Sequence, residues 1–168
     1  VEGNSITFKN LTIENNAARL GQAVALHTEG DKLVFINCRI LGNQDTIYTG
    51  VAGTRLYFVD CYIDGTTDFI FGPSTALFEN CEIRSKTNSY ITAASTPKDI
   101  AVGYVFKNCR LTADPGVDKV YLGRPWRPYA ATVFINCEMG KHIRPEGWHN
   151  WGNVENENHF LSLAYNNT

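Results

Sequence analysis

The chain has 168 residues, 43% hydrophobic and 19% charged, with a formal net charge of −2. That is enough apolar surface for the core of one domain, and the balance of charge gives no electrostatic footprint for nucleic acid. No apolar run reaches membrane-spanning length, and no basic-then-apolar signal segment opens the chain.

Read from the N-terminus, one phrase keeps returning. It opens as Phe8-Lys9-Asn10-Leu11-Thr12-Ile13 and continues as Phe35-Ile36-Asn37-Cys38-Arg39-Ile40, Phe58-Val59-Asp60-Cys61-Tyr62-Ile63 and Phe78-Glu79-Asn80-Cys81-Glu82-Ile83. Phe106-Lys107-Asn108-Cys109-Arg110-Leu111 and Phe134-Ile135-Asn136-Cys137-Glu138-Met139 complete the series. The Phe-to-Phe intervals are 27, 23, 20, 28 and 28 residues. A unit of about 20–30 residues that repeats one pattern is the signature of a solenoid. The residues around it are β-formers bounded by Gly, Asn, Asp and Thr, and nothing shows sustained helical periodicity with caps. The Leu-x-x-Leu-x-Leu framework of a leucine-rich repeat is absent.

The expected fold is therefore all-β: a right-handed parallel β-helix, one domain over residues 1–168, with coils stacked about 4.8 Å apart. Like residues stack on like, so Phe, Cys and Asn/Asp form internal ladders, the last expected to cap a turn through its side chains. Intervals of unequal length place variable loops on one face, where solenoids carry binding sites. The chain opens directly into a coil and has no closing element, so it is read as truncated at both ends.

The ladder also assigns the cysteines. All five hold the same small apolar position, their number is odd and no pair has metal spacing. They are expected to be free, buried and inert. The sequon Asn10-Leu11-Thr12 puts its asparagine in the ladder column, so glycosylation is not expected there.

Between the strands lie polar clusters unlike solenoid filler: Gly21-Gln22, Asn43-Gln44-Asp45 and Thr66-Thr67-Asp68, with Gly123-Arg124-Pro125-Trp126 far downstream. Asp45 lies seven residues past Cys38, and Asp68 seven past Cys61. Equal offset from one ladder stacks the two aspartates on adjacent coils. Two carboxylates so close do not both ionise freely at neutral pH unless a cation stabilises one, and Arg124 is the candidate. Stacked aspartates could be structural corners, or could hold Ca²⁺. The amides Gln44 and Gln22, and the aromatics Tyr48, Phe69, Phe71 and Trp126, weigh towards a sugar-binding site. His27, His142, His149 and His159 are scattered, without a Ser or Cys partner in register.

The motifs Gln22-Ala23-Val24-Ala25-Leu26, Gln44-Asp45-Thr46-Ile47-Tyr48, Asp68-Phe69-Ile70-Phe71-Gly72, Leu122-Gly123-Arg124-Pro125-Trp126 and Gly147-Trp148-His149-Asn150-Trp151 together resemble those of pectin methylesterases. These are carbohydrate esterases with a right-handed parallel β-helix. The likeness runs through nearly the whole chain; Thr67 departs from it, standing where the family usually has an aliphatic residue.

The resemblance implies an enzyme that removes methyl esters from the galacturonate units of pectin and releases methanol. Asp68 would be the nucleophile, Arg124 its partner, Asp45 the acid/base, and Gln22 and Gln44 the oxyanion donors. Tyr48, Phe71, Trp126 and Trp148 would contact the sugar; for Trp148 and Trp151, packing of the last coil is an equal alternative. No metal or cofactor is implied. The partner would be methylated homogalacturonan, the enzyme a monomer, its location secreted or periplasmic. Two other readings are carried forward: a β-helical pectate lyase or polygalacturonase, and a non-catalytic carbohydrate-binding solenoid.

Overall fold

The computed structural model describes residues 1–159 and 161–168. All of its named strand pairings are parallel, and they form three sheets wound into one β-helix. The first sheet has seven strands, each running up to the position after the repeated Phe, from Thr7–Lys9 through Leu33–Ile36 and Arg55–Val59 to Leu161–Tyr165. The second has six, starting just after the Cys position: Thr12–Glu14, Arg39–Leu41, Tyr62–Gly65, Glu82–Ser85, Arg110–Ala113 and Glu138–Met139. The third has five: Leu26–Thr28, Ile47–Thr49, Ile70–Gly72, Tyr90–Ala94 and Tyr121–Gly123.

The repeat sets the register. Phe8, Phe35, Phe58, Phe78, Phe106 and Phe134 are direct partners across the first sheet. Their rings stack in one column at centroid spacings of 4.9, 4.6, 4.7, 4.5 and 4.4 Å. From Phe35 to Phe134 the rings are fully buried, each contributing about 1.5–3 kcal/mol of apolar burial. Ile40, Ile63, Ile83 and Leu111 form a matching buried column from the second sheet.

The corner between the first two sheets explains the Asn/Asp column. Asn10, Asn37, Asp60, Asn80, Asn108 and Asn136 all take φ between 50° and 56°. Asn and Asp are the non-glycine residues that accept this left-handed conformation most readily. One such residue turns the chain while the ladder continues through it, as in Asn37 N–H to the Val59 carbonyl and Asn108 N–H to the Ile135 carbonyl. The side chains bond to one another along the column, Asn37 to Asn10 at 2.8 Å and Asn80 to Asp60 at 3.4 Å. The column is therefore a backbone device first, and side-chain capping is secondary.

The next residue, cysteine, points inward. All five thiols are buried and free, and each lies over a Phe carbonyl one coil earlier: Cys38 over Phe8 at 3.7 Å, and Cys61 over Phe35, Cys81 over Phe58, Cys109 over Phe78 and Cys137 over Phe106 at 3.3–3.5 Å. A seventh copy of the phrase, hidden in the sequence, completes the series. Leu161–Tyr165 pairs with Ala131–Ile135, Asn166 turns with φ 51°, and Asn167 donates to the Phe134 carbonyl at 3.3 Å. An amide there does what a thiol does in the coils before it. Ala164 replaces Phe in this copy, which is why the pattern does not announce itself.

Two outcomes follow from the ladder. Titration with a thiol reagent is expected to find almost no reactive cysteine in the native protein and all five after denaturation. Asn108 is exposed and turns its corner through left-handed backbone and its ladder bond to the Ile135 carbonyl. Asn108→Ala should lower unfolding stability by about 1–2 kcal/mol and Asn108→Gly much less, measured by urea denaturation.

Candidate active site

The polar clusters meet on the outer face of the third sheet. Ile47 pairs with Ile70 and Tyr48 with Phe71, so Asp45 and Asp68, two residues before the paired isoleucines, occupy one corner on successive coils. Both take left-handed backbone, with φ 65° and 48°. Gln22 bridges Gln44 one coil earlier. The offsets counted from the cysteine ladder thus translate into a shared site.

Arg124 comes from two coils beyond Asp68. Gly123 pairs with Thr92, and a Cβ at Gly123 would run into the Thr92 hydroxyl and carbonyl; glycine lets the strands close up there. Pro125 disfavours helical backbone at Arg124, whose N–H is bonded to the Thr92 carbonyl at 3.0 Å. The guanidinium reaches back across the intervening coil and grips Asp68 with both arms, Nε to Oδ1 at 3.0 Å and Nη2 to Oδ2 at 2.7 Å. It can do so because the residue between Phe71 and Arg124 in that column is Ala93. Its cation also lies between two rings, 4.0 Å from the centre of Tyr90 and 3.7 Å from Trp151.

Both carboxylates are buried, at 5% exposure for Asp45 and 7% for Asp68, but their surroundings differ. Burial pushes the Asp45 carboxyl up to about 6; the charge of Asp68 adds to the rise, and the Gln22 amide and Arg124 oppose it. Burial also raises Asp68, and the Arg124 fork opposes that rise directly. A bidentate charge-assisted pair favours the ionised carboxylate, and Asp45 has no such pair. The corner therefore sets a carboxyl gripped by a charge-assisted fork beside one that is raised and has no such fork.

The cleft, of about 200 Å³, is walled by Gln22, Gln44, Asp45, Asp68, Arg124 and the rings of Phe71, Trp126 and Trp151. Tyr48 flanks it, stacked on Phe71 at 4.7 Å, and Trp126 meets Phe71 edge-on at 5.8 Å. Trp148 does not line it. Its backbone bridges Gly123 and its half-buried ring packs towards Phe134 at 6.0 Å, so of the two tryptophans Trp151 faces the cleft. The turn that separates them carries Trp151 itself at φ 62°, its N–H bonded to His149 Nδ1. Tyr90 and Ala93 were absent from the sequence-derived site, and Trp151 entered it only as an even choice between sugar contact and packing of the last coil. Tyr90 sits level with Asp68 but nine residues past Cys81 rather than seven, so counting offsets passes over it. Among the described residues, no group of three or more His, Cys, Asp or Glu side chains is placed to hold a metal ion.

With this geometry in hand, the family can be stated. The pectinesterase family model matches residues 1–168. The chain belongs to the pectinesterase family. It is 46% identical over 159 residues to pectinesterase 31 of Arabidopsis thaliana, covering 94% of this chain and 50% of that protein. It superposes on pectin methylesterase from carrot with a TM-score of 0.90 at 30% identity, covering 99% of this chain and 56% of that one. A pectin methylesterase solved in complex with a hexasaccharide matches with a TM-score of 0.81 at 28% identity, over 99% of this chain and 63% of that one. The chain spans about half the length of the curated relatives it matches.

The raised Asp45 carboxyl has a consequence for stability. A carboxyl held at about 6 when folded and near 3.8 when unfolded favours the folded state fully below 3.8, and that contribution is lost as pH rises through 6. Asp45→Asn removes the titration and keeps a residue suited to left-handed backbone. It should therefore be more stable than the parent at pH 8, by on the order of 1–2 kcal/mol after allowance for the open cleft, with the gap closing below pH 4. Thermal melts of the two proteins across pH check this; a gap independent of pH would refute it.

Proposed function

We propose that this chain carries the catalytic centre of a carboxylic ester hydrolase that removes methyl esters from galacturonate units of pectin, without a metal or cofactor. The observation that carries the reading is the difference between two adjacent carboxylates: Asp68 is forked by Arg124, while Asp45 has its carboxyl raised to about 6. Pairs of titratable groups whose surroundings push them apart divide naturally into base or nucleophile and acid.

In the proposed sequence an Asp68 carboxylate oxygen attacks the ester carbonyl carbon, and the carbonyl oxygen becomes an oxyanion. The side-chain amides of Gln22 and Gln44 donate to it, each such donor being worth about 3 kcal/mol in a pre-organised site. Collapse breaks the carbon–methoxy bond, and the Asp45 proton goes to the departing oxygen, giving methanol and an anhydride between Asp68 and the uronate. Asp45, now a carboxylate, takes a proton from water as it attacks the anhydride. The uronate acid leaves, and Asp45 is protonated again. Arg124 keeps Asp68 charged and aimed throughout. Phe71, Trp126 and Tyr48 offer apolar edges to sugar rings, and Trp151 takes the place expected of Trp148. The enzyme is read as a secreted or periplasmic monomer acting on methylated homogalacturonan.

The test is methanol release from highly methylated pectin. Asp68→Asn should abolish it, because the covalent step is lost. Asp45→Asn should lower it by about 10²–10⁴-fold, the usual worth of a general acid–base group, leaving measurable activity. EDTA should have no effect, and neither new reducing ends nor unsaturated products should form. Those products would indicate a hydrolase or lyase of the main chain instead, and binding without any product a carbohydrate-binding solenoid. More activity in Asp68→Asn than in Asp45→Asn would reverse the assignment.

A further inference from the structure

The Arg124–Asp68 fork is well covered for an ion pair on a cleft wall. The Arg124 side chain is 19% exposed, against 31–60% for the arginines of the other ion pairs among the described residues. Two aromatic faces supply the cover. Tyr90 lies against the guanidinium at 4.0 Å and is itself backed by Tyr121, stacked at 5.3 Å. Trp151 lies against it at 3.7 Å and is the outer layer, 38% exposed.

The backbone at Trp151 is strained for a tryptophan. Its φ of 62° is left-handed, a conformation that bulky residues seldom adopt and that persists only where the surroundings enforce it. Here they do. Trp151 N–H donates to His149 Nδ1 at 3.0 Å, and Gly152 N–H to Asn150 Oδ1 at 2.9 Å. Asn150 is fixed in turn: its Nδ2 donates to Glu157 Oε1 at 2.8 Å, and its carbonyl accepts from Asn156 Nδ2 at 2.9 Å. His149 N–H bonds the Gly123 carbonyl at 3.1 Å, which pins the turn directly beside Arg124. Packing of the last coil does not call for this, because Trp148 already packs towards Phe134. A cation between two ring faces is attracted to both, and a fork kept from water is screened less.

We infer that Trp151 is a positioning residue: its ring clamps Arg124 on Tyr90, and so aims the Asp68 carboxylate and holds it ionised. This rests on the esterase reading above and gives Trp151 a part beyond contact with sugar, played through Arg124. The charged and titratable groups around the fork are Asp45, Arg124 and Tyr90, with His149 and Glu157 in the turn. Uncovering Arg124 weakens its hold, so the Asp68 carboxyl rises.

Three variants test this. Trp151→Phe keeps an aromatic face, Trp151→Leu keeps apolar bulk alone, and Trp151→Gly removes the side chain while relieving the backbone. Asp68 is titrated in each by carbon NMR of labelled aspartate, assigned with Asp68→Asn, and methanol release is measured across pH. In Trp151→Leu and Trp151→Gly the Asp68 titration, and with it the acid limb of kcat/KM, should move up by about half a pH unit, the lower range of a cation–π contact. Their kcat should fall about tenfold through mis-aiming, and Trp151→Phe should restore most of both. Trp151→Gly should melt no lower than Trp151→Leu, which separates the loss of rate from a loss of stability. A rise in KM alone would make Trp151 a sugar contact only, and a fall in Tm alone a packing residue. Either result, or no change in any variant, would overturn the inference and leave the esterase reading intact. Absence of methanol release by the parent would sink that reading, and the Asp68 titration would still decide whether Trp151 acts on the fork.

Discussion

Parallel pairing in strict register is the constraint on which everything else here depends. Each coil hydrogen-bonds to its neighbours so that equivalent positions lie side by side about 4.8 Å apart. The same rule that stacks Phe35 on Phe58 and Phe78 also puts Asp45 beside Asp68. For aromatic rings that closeness is favourable, because both faces are covered. For carboxylates it is costly, because like charges at such range resist joint ionisation. The fold relieves the conflict unequally: a guanidinium for Asp68, and for Asp45 a raised carboxyl. Chemical difference between two identical residues follows from that inequality.

The cleft itself arises from an interruption of stacking. Tyr48 and Phe71 begin an aromatic column on the outside of the third sheet, and a ring in the next coil would have continued it. Ala93 stands there instead. The missing volume becomes the cavity, and Arg124, one coil further, reaches through it to Asp68. Trp126 and Trp151 then wall the gap from the far side. Burial in this gap also raises both acids, so the interruption that opens the cleft also tunes the carboxyls within it. Active sites commonly sacrifice stability in this way.

Much of this was legible in the residues, for a physical reason. A solenoid converts sequence offset into spatial position, so Phe, Cys and Asn columns could be read directly, and the equal offsets of Asp45 and Asp68 from Cys38 and Cys61 located the site's centre. What was not legible depended on departures from the period. The longer offset of Tyr90 hid its level with Asp68, and the replacement of Phe by Ala164 hid the last copy of the phrase. Trp148 and Trp151 follow a turn whose direction is set by positive φ at Gly147 and Trp151, and no repeat predicts that. The left-handed corner explains the Asn/Asp column better than side-chain capping does, since Asn108 turns with no side-chain hydrogen bond among the described residues.

Solenoids are quasi-one-dimensional: each coil touches its neighbours, and opening at one end need not disturb the other. The site departs from that locality. Gln22 lies on an early coil, Asp45 and Asp68 on the next two, Arg124 two coils beyond, and Trp151 in the turn after it. The Arg124–Asp68 fork bridges across a coil rather than between adjacent ones, and the Tyr90–Arg124–Trp151 sandwich ties that cation to its neighbours on both sides. Fraying at either end of this span would remove a wall, an amide or the cation before it reached the carboxylates. The centre therefore requires a run of coils to be closed together, and the long-range contacts of Arg124 are what tie that run into a single unit.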